Sequence, residues 1–282
     1  MVPLNQIYRD KPTYVSYPDI YKTYVEIHDI SMKHFNIVVD GHTYPKGRLY
    51  DAAVLFNSDV DFKGKTVCEL GARGGIFGVY LARYVEKIYI SDYFQEWGKG
   101  TEYDLGDLDY WKNVWTNVCK SNNPEDVSKM IIENQDMTSL TYPDNFFDIV
   151  ISTSVIEHLY YQKDNQGDIL AMKEMARICK PGGTILITTD MAEQSKWVAG
   201  THYYSVKDLF KRLIEPTGCV IRGDYDFDIS NAENSSITSH LGYYPVSSVI
   251  FSLQKLPCDE KYDKYVNIGE KTNYESIVKL SE

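Results

Sequence analysis

The residues best suited to chemistry in this 282-residue chain begin at a glycine-rich loop, Glu69-Leu70-Gly71-Ala72-Arg73-Gly74-Gly75-Ile76-Phe77-Gly78. Glycines let the backbone take positive φ and let a ligand come close to the main chain. A helix opening after such a loop favours negative charge at its start. Gly71, Gly74 and Gly75 do not make the GxGxxG spacing of a dinucleotide pyrophosphate site, which requires glycine at 73 and 76. The spacing is instead acid-x-Gly-x-x-x-Gly, carried by Glu69, Gly71 and Gly75. Asp92, with Tyr93 beside it, ends the next apolar run, where an acid can accept both hydroxyls of a ribose. Asp136-Met137 joins a carboxylate to an apolar side chain, which suits an amino-bearing ring. Histidine takes protons near neutral pH, and there are six: His28, His34, His42, His158, His202 and His240. His158 and His202 each follow an apolar strand-like run and are the candidate bases. No HxxE or paired-acid spacing compels a metal site, so none is expected, although Asp190 and Glu193 stand where a metal-assisted reaction would need acids.

Elements of alternating type must position these residues. Thr66–Leu70, Lys87–Ser91, Met130–Glu133, Phe147–Ser152 and Thr184–Thr189 read as five strands. FDIVIS is continuous and apolar, as in a strand covered on both faces. Between them, Ile76–Tyr84 reads as a helix. Leu108, Trp111, Trp115 and Val118 form one helical stripe, and Ile169, Met172, Met175, Ala176 and Cys179 another. Val206, Leu209, Phe210 and Leu213 give one more helix before two final strands, Val220–Tyr225 and Val249–Leu253. Nothing helical links those two, so an antiparallel last strand is expected. The alternation predicts an α/β fold: a Rossmann-like, seven-stranded, mostly parallel sheet with helices on both faces. Residues 1–60 are Tyr-rich and irregular and read as a cap on the substrate side, with weak helical periodicity near Tyr21–His34. Residues 61–256 form the main domain and 257–282 a tail or small docking helix.

Composition narrows the partners. Lys plus Arg is 29 against 40 Asp plus Glu, a net charge of −11, which repels a phosphate backbone and argues against nucleic acid. Tyrosine dominates the aromatics, 24 against 10 Phe and 4 Trp; it packs apolar and also hydrogen-bonds, as a polar organic ligand requires. Five cysteines, none in a CxxC pair, predict a reducing, cytoplasmic setting. No signal pattern and no long apolar run are seen, so no membrane is expected.

Taken together, the phrases VCELGARGG, ENQDM, YPDNFFDIVISTSVIEHL, EMARICKPGGTILITT and YYSVKDLFKRL, in that order, resemble the class I S-adenosylmethionine-dependent methyltransferases, over about residues 64–256. The EHL triplet and KPGG turn point to the small-molecule branch. The resemblance implies S-adenosyl-L-methionine as cofactor. Glu69 opens the loop motif, and Gly71 and Gly75 would approach the methionine part. Asp92, with Tyr93, would hold the ribose, and Asp136 and Met137 the adenine. Ser154 would line the cofactor. His158 sits where some relatives carry a base, and it also suits an orienting role, while His202 could face the acceptor; His240 lies in a connection that often borders the acceptor pocket. Arg73 departs from the family, where glycine is common; the tight loop predicts that it points outward, the alternative being a pairing with the cofactor carboxylate. The implied activity is O-methylation of a sugar or specialised metabolite, with a small-molecule acceptor as partner; a homodimer is compatible with it. The alternatives are N-methylation of a small amine and a non-catalytic binding or activator subunit on the same scaffold. A nicotinamide dehydrogenase, suggested by the Tyr203-x-x-x-Lys207 spacing, conflicts with the glycine pattern.

Overall fold

The computed structural model describes residues 4, 6–7, 18–34, 46–94, 107–198, 200–227, 237–238 and 245–257. Strand β1 is Gln6–Ile7, followed by helices α1 (Pro18–His34) and α2 (Lys46–Phe56). Then come β2 (Thr66–Leu70), α3 (Phe77–Leu81), β3 (Lys87–Asp92), α4 (Leu108–Asn122), β4 (Met130–Asn134) and β5 (Phe147–Thr153). Helix α5 (Gly167–Ile178) leads into β6 (Cys179–Met191), and a hairpin of β7 (Lys196–Val198) and β8 (Thr201–Tyr203) follows. A helical stretch runs from Val206 to Thr217, with a π-helical middle at Leu209–Ile214. The chain then forms β9 (Val220–Ile221), β10 (Ile237–Thr238) and β11 (Pro245–Gln254).

The sheet runs β11-β6-β5-β2-β3-β4, with β1, β9 and β10 attached to β11. Neighbours from β6 to β4 are parallel, whereas β11 is antiparallel to β6, Val249 opposite Thr189. The seven expected strands are all present. The sixth is only the two-residue β9, which pairs antiparallel with β11 through Ile221 and Leu253. The order reverses between β2 and β5, so the carboxyl ends of these strands form the crevice in which such sheets bind ligands.

Each face of the sheet carries its own core. On one side Trp111, Trp115 and Val118 of α4 pack with Ile88 and Ile90, so the expected stripe is buried at these three positions and half-buried at Leu108. On the other, Met172, Met175 and Ile178 of α5 and Leu213 pack with Val150, Ile185 and Phe251. The N-terminal segment is more regular than expected: the weak periodicity near Tyr21–His34 is helix α1, and a second helix, α2, follows it. Its helices α1 and α2 contribute Ile20, Ile27, Leu49 and Ala52–Leu55 to the first of these cores. Ile20, Thr23, Ile27 and Ser31 are buried at steps of three and four residues, the helical face behind that weak periodicity. The first helix after the loop is shorter than expected, five residues at Phe77–Leu81.

His42, His240, Cys258 and the expected tail beyond residue 257 lie outside the described residues. No helix among the described residues is long and apolar enough to cross a membrane.

Candidate active site

The glycine loop turns sharply at the end of β2. Gly71 and Gly74 take φ of +75° and +81°, which side chains disfavour. A Cβ on Gly71 would also run into Val155, with Cγ1 at 2.6 Å. The loop is braced from three directions. Glu69 accepts the Gly78 N–H at 2.7 Å. Trp115 Nε1 donates to the Gly75 carbonyl at 2.7 Å, tying α4 to the loop. The Gly75 N–H closes on the Ala72 carbonyl. A narrow cleft with about 20 Å³ of free space opens along the loop, lined by Gly71, Gly75 and Thr153 and, from the N-terminal helices, by Ile27, Leu49 and Ala52. The Thr153 hydroxyl is buried with no hydrogen-bond partner. Such a group is costly unless something in the cleft bonds it. A cradle of bare glycines beside an unmet hydroxyl fits a polar small molecule.

At the end of β3, Asp92 Oδ2 accepts the Arg73 N–H at 2.9 Å, and its Oδ1 lies 3.7 Å from Arg73 Nε. Arg73 is thus turned inward, against the outward expectation. Its side chain is 6% exposed, and its guanidinium lies over the Phe94 ring at 5.8 Å. The cause is local: a carboxylate and an aromatic face lie within reach and give the charge a pairing and a stacking surface. Tyr93 beside it is exposed.

Asp136 Oδ1 accepts the Thr138 N–H at 2.8 Å and hydroxyl at 2.6 Å, and Lys163 Nζ lies 3.5 Å from Oδ2. Burial works against its charge, but these donors prevail and hold the carboxyl below its ordinary range. Met137 is buried next to it.

Ser154, with φ of +50°, takes both the Thr188 carbonyl and hydroxyl on its N–H, each at 3.0 Å. Its hydroxyl faces Asp51 Oδ2 of α2 at 3.4 Å. Asp51 is 1% exposed, and this buried acid escaped the sequence reading because its contact spans 103 residues of chain.

The two candidate bases differ sharply. His158 is exposed, and its Nδ1 lies 2.9 Å from the Gly200 carbonyl, which makes Nδ1 the donor. Proton acceptance therefore falls to Nε2. Beside it, Glu157 is 1% exposed and accepts the Thr189 hydroxyl. Asp190 at the end of β6 is pushed up to about 7 by burial and by the Glu157 charge, partly offset by His158. His202 is instead buried in β8, stacked on Tyr160 at 3.7 Å with the Tyr204 edge at 4.6 Å. Neither of its ring nitrogens has a partner, and burial pushes its pKa down. Tyr203 is buried in the same hairpin under Lys196. Among the described residues no group of three or more His, Cys, Asp or Glu is placed to hold a metal.

Residues 68–187 match the family model described as a methyltransferase domain. Curated proteins yield no sequence match. Among solved structures, the [4+2]-cyclase SpnF superposes with a TM-score of 0.54 at 16% identity, covering 90% of this chain and 98% of that one. Phosphoethanolamine N-methyltransferase 2 of Haemonchus contortus, solved in complex with S-adenosyl-L-methionine, superposes at 0.51 and 12% identity, covering 89% of this chain and 61% of that one. At such identities the structures share the fold, and a cyclase among them shows that the fold hosts more than one chemistry. The family match spans β2 to β6 and so includes the glycine loop, Asp92, Asp136 and Ser154. Residues 68–187 therefore carry the match to a methyltransferase domain, and the chain is an enzyme whose methyl donor is S-adenosyl-L-methionine.

Proposed function

We propose that the chain methylates an oxygen of a small polar acceptor of the sugar or specialised-metabolite class, with His158 taking the acceptor's proton. The carrying observation is His158 itself: an exposed imidazole just past the carboxyl end of β5, oriented by the Gly200 carbonyl and set beside the buried Glu157 and the half-buried Asp190. Negative charge nearby favours the imidazolium that forms when the acceptor proton arrives. His202, packed between two tyrosine rings, is read as part of the hairpin's support.

The cofactor supplies a sulfonium methyl group for in-line displacement. In this reading Gly71 and Gly75 let its methionine part lie along the loop, and Glu69 keeps that loop in shape through Gly78. Asp92, with Tyr93, takes the ribose. Asp136 and Met137 take the adenine, and Ser154 and Thr153 line the methyl-bearing side. Helices α1 and α2 close the cleft with Ile27, Leu49 and Ala52, which excludes water and sets the alignment of acceptor and methyl group. The buried thiols of Cys68, Cys119, Cys179 and Cys219, all free, support a reducing cytoplasmic setting.

A second reading, N-methylation of a small amine, draws support from the acids Asp51, Glu157 and Asp190, which suit an ammonium group. Transfer of labelled methyl from S-adenosyl-L-methionine to panels of sugars, phenols and amines separates the two. Label on hydroxyl acceptors supports the proposal, and label confined to amines overturns it.

A further inference from the structure

We infer that Arg73 sets the chain's affinity for its adenosyl ligand by competing with the ribose for Asp92. This rests on the reading of Asp92 as the ribose anchor. A ribose brings two hydroxyl donors and needs both carboxylate oxygens. Oδ2 already accepts the Arg73 N–H at 2.9 Å, a bond that uses one lone pair and can persist. Oδ1 is different, because the Arg73 guanidinium lies over it with Nε at 3.7 Å. The Asp92 side chain is only 14% exposed, so the ribose has little room to approach while that cation stays.

Arg73 is also the one large side chain in the run from Gly71 to Gly75, where its neighbours leave the backbone bare. The Phe94 ring beneath the guanidinium and the burial of the arginine stem hold it in place. Binding therefore requires the guanidinium to leave Asp92, and ligand affinity falls by the strength of that contact. The family resemblance gives no such role to this position, where glycine is common.

The test is calorimetric titration of the full chain with S-adenosylhomocysteine. Arg73→Ala is expected to bind about tenfold more tightly than the parent chain. Arg73→Gln, which keeps the stem over Phe94 and loses the charge, shifts in the same direction and carries the test where the alanine variant fails to fold. Asp92→Ala weakens binding about tenfold in the parent chain, because it removes the ribose bonds and the competitor's hold together. In the Arg73→Ala background the same change weakens binding about a hundredfold, within the range for hydrogen bonds to a charged group. An affinity that is unchanged or weaker in both Arg73 variants overturns the inference. If Asp92→Ala weakens binding by the same factor in both backgrounds, the ribose reading stands and the Arg73 inference falls. If Asp92→Ala changes nothing in either background, both fall.

Discussion

His158→Ala lowers kcat by roughly 100- to 10,000-fold, the usual contribution of a positioned general base, while affinity for S-adenosylhomocysteine stays at the parent value. The split between turnover and binding follows from position. In the proposed reading His158 stands on the acceptor side of the strand ends, where Gly200 of the hairpin holds its Nδ1 at 2.9 Å. His202→Phe is the control. Both His202 nitrogens are without partners, so an apolar ring of similar shape loses no hydrogen bond, and it keeps the stack on Tyr160. That variant is expected to turn over at the parent rate. If the two outcomes are exchanged, with His202→Phe inactive and His158→Ala active, the base is assigned to the wrong histidine.

Asp168→Ala is expected to destabilise the fold by about 3–5 kcal/mol, measured by urea unfolding. Asp168 is completely buried in the first turn of α5 and is gripped by Arg212 through two bonds, Nε at 2.9 Å and a terminal nitrogen at 2.7 Å. The Tyr204 hydroxyl donates to the same carboxylate at 2.9 Å. Removing the acid strands a largely buried guanidinium, which also lies over Tyr160 at 4.1 Å, and leaves the tyrosine hydroxyl without its best acceptor. Tyr160 supports His202 in turn, so the hairpin and the helix after it loosen together. A loss below about 1 kcal/mol would show that the cluster relaxes to water and does not hold the hairpin in place.

The central sheet was legible in the sequence because buried parallel strands are short continuous apolar runs, and TVCEL, KIYIS and FDIVIS are of that kind. The stripe of Trp111 and Trp115 was legible for the same reason, since its period matches one buried helix face. The cap was legible only in part: its first helix showed as weak periodicity near Tyr21–His34, blurred by apolar rings on the exposed or half-buried positions Tyr21 and Tyr24, and its second helix was not read. Site residues divide along similar lines. The positions of Gly71 and Asp92 at strand ends were legible from local pattern. The direction of Arg73 depends on Phe94 and Asp92, about twenty residues further along, and Asp51 meets Ser154 only through the folded core. The burial of His202 in a strand was not legible, because the sequence gives no sign that Tyr160 would stack on it.

The most direct test of the account is calorimetric titration of the parent chain with S-adenosylhomocysteine, with NAD titrated under the same conditions. The account predicts saturable one-to-one binding of the adenosyl compound and no binding of NAD. Absence of heat with S-adenosylhomocysteine, or binding of NAD in its place, would contradict it.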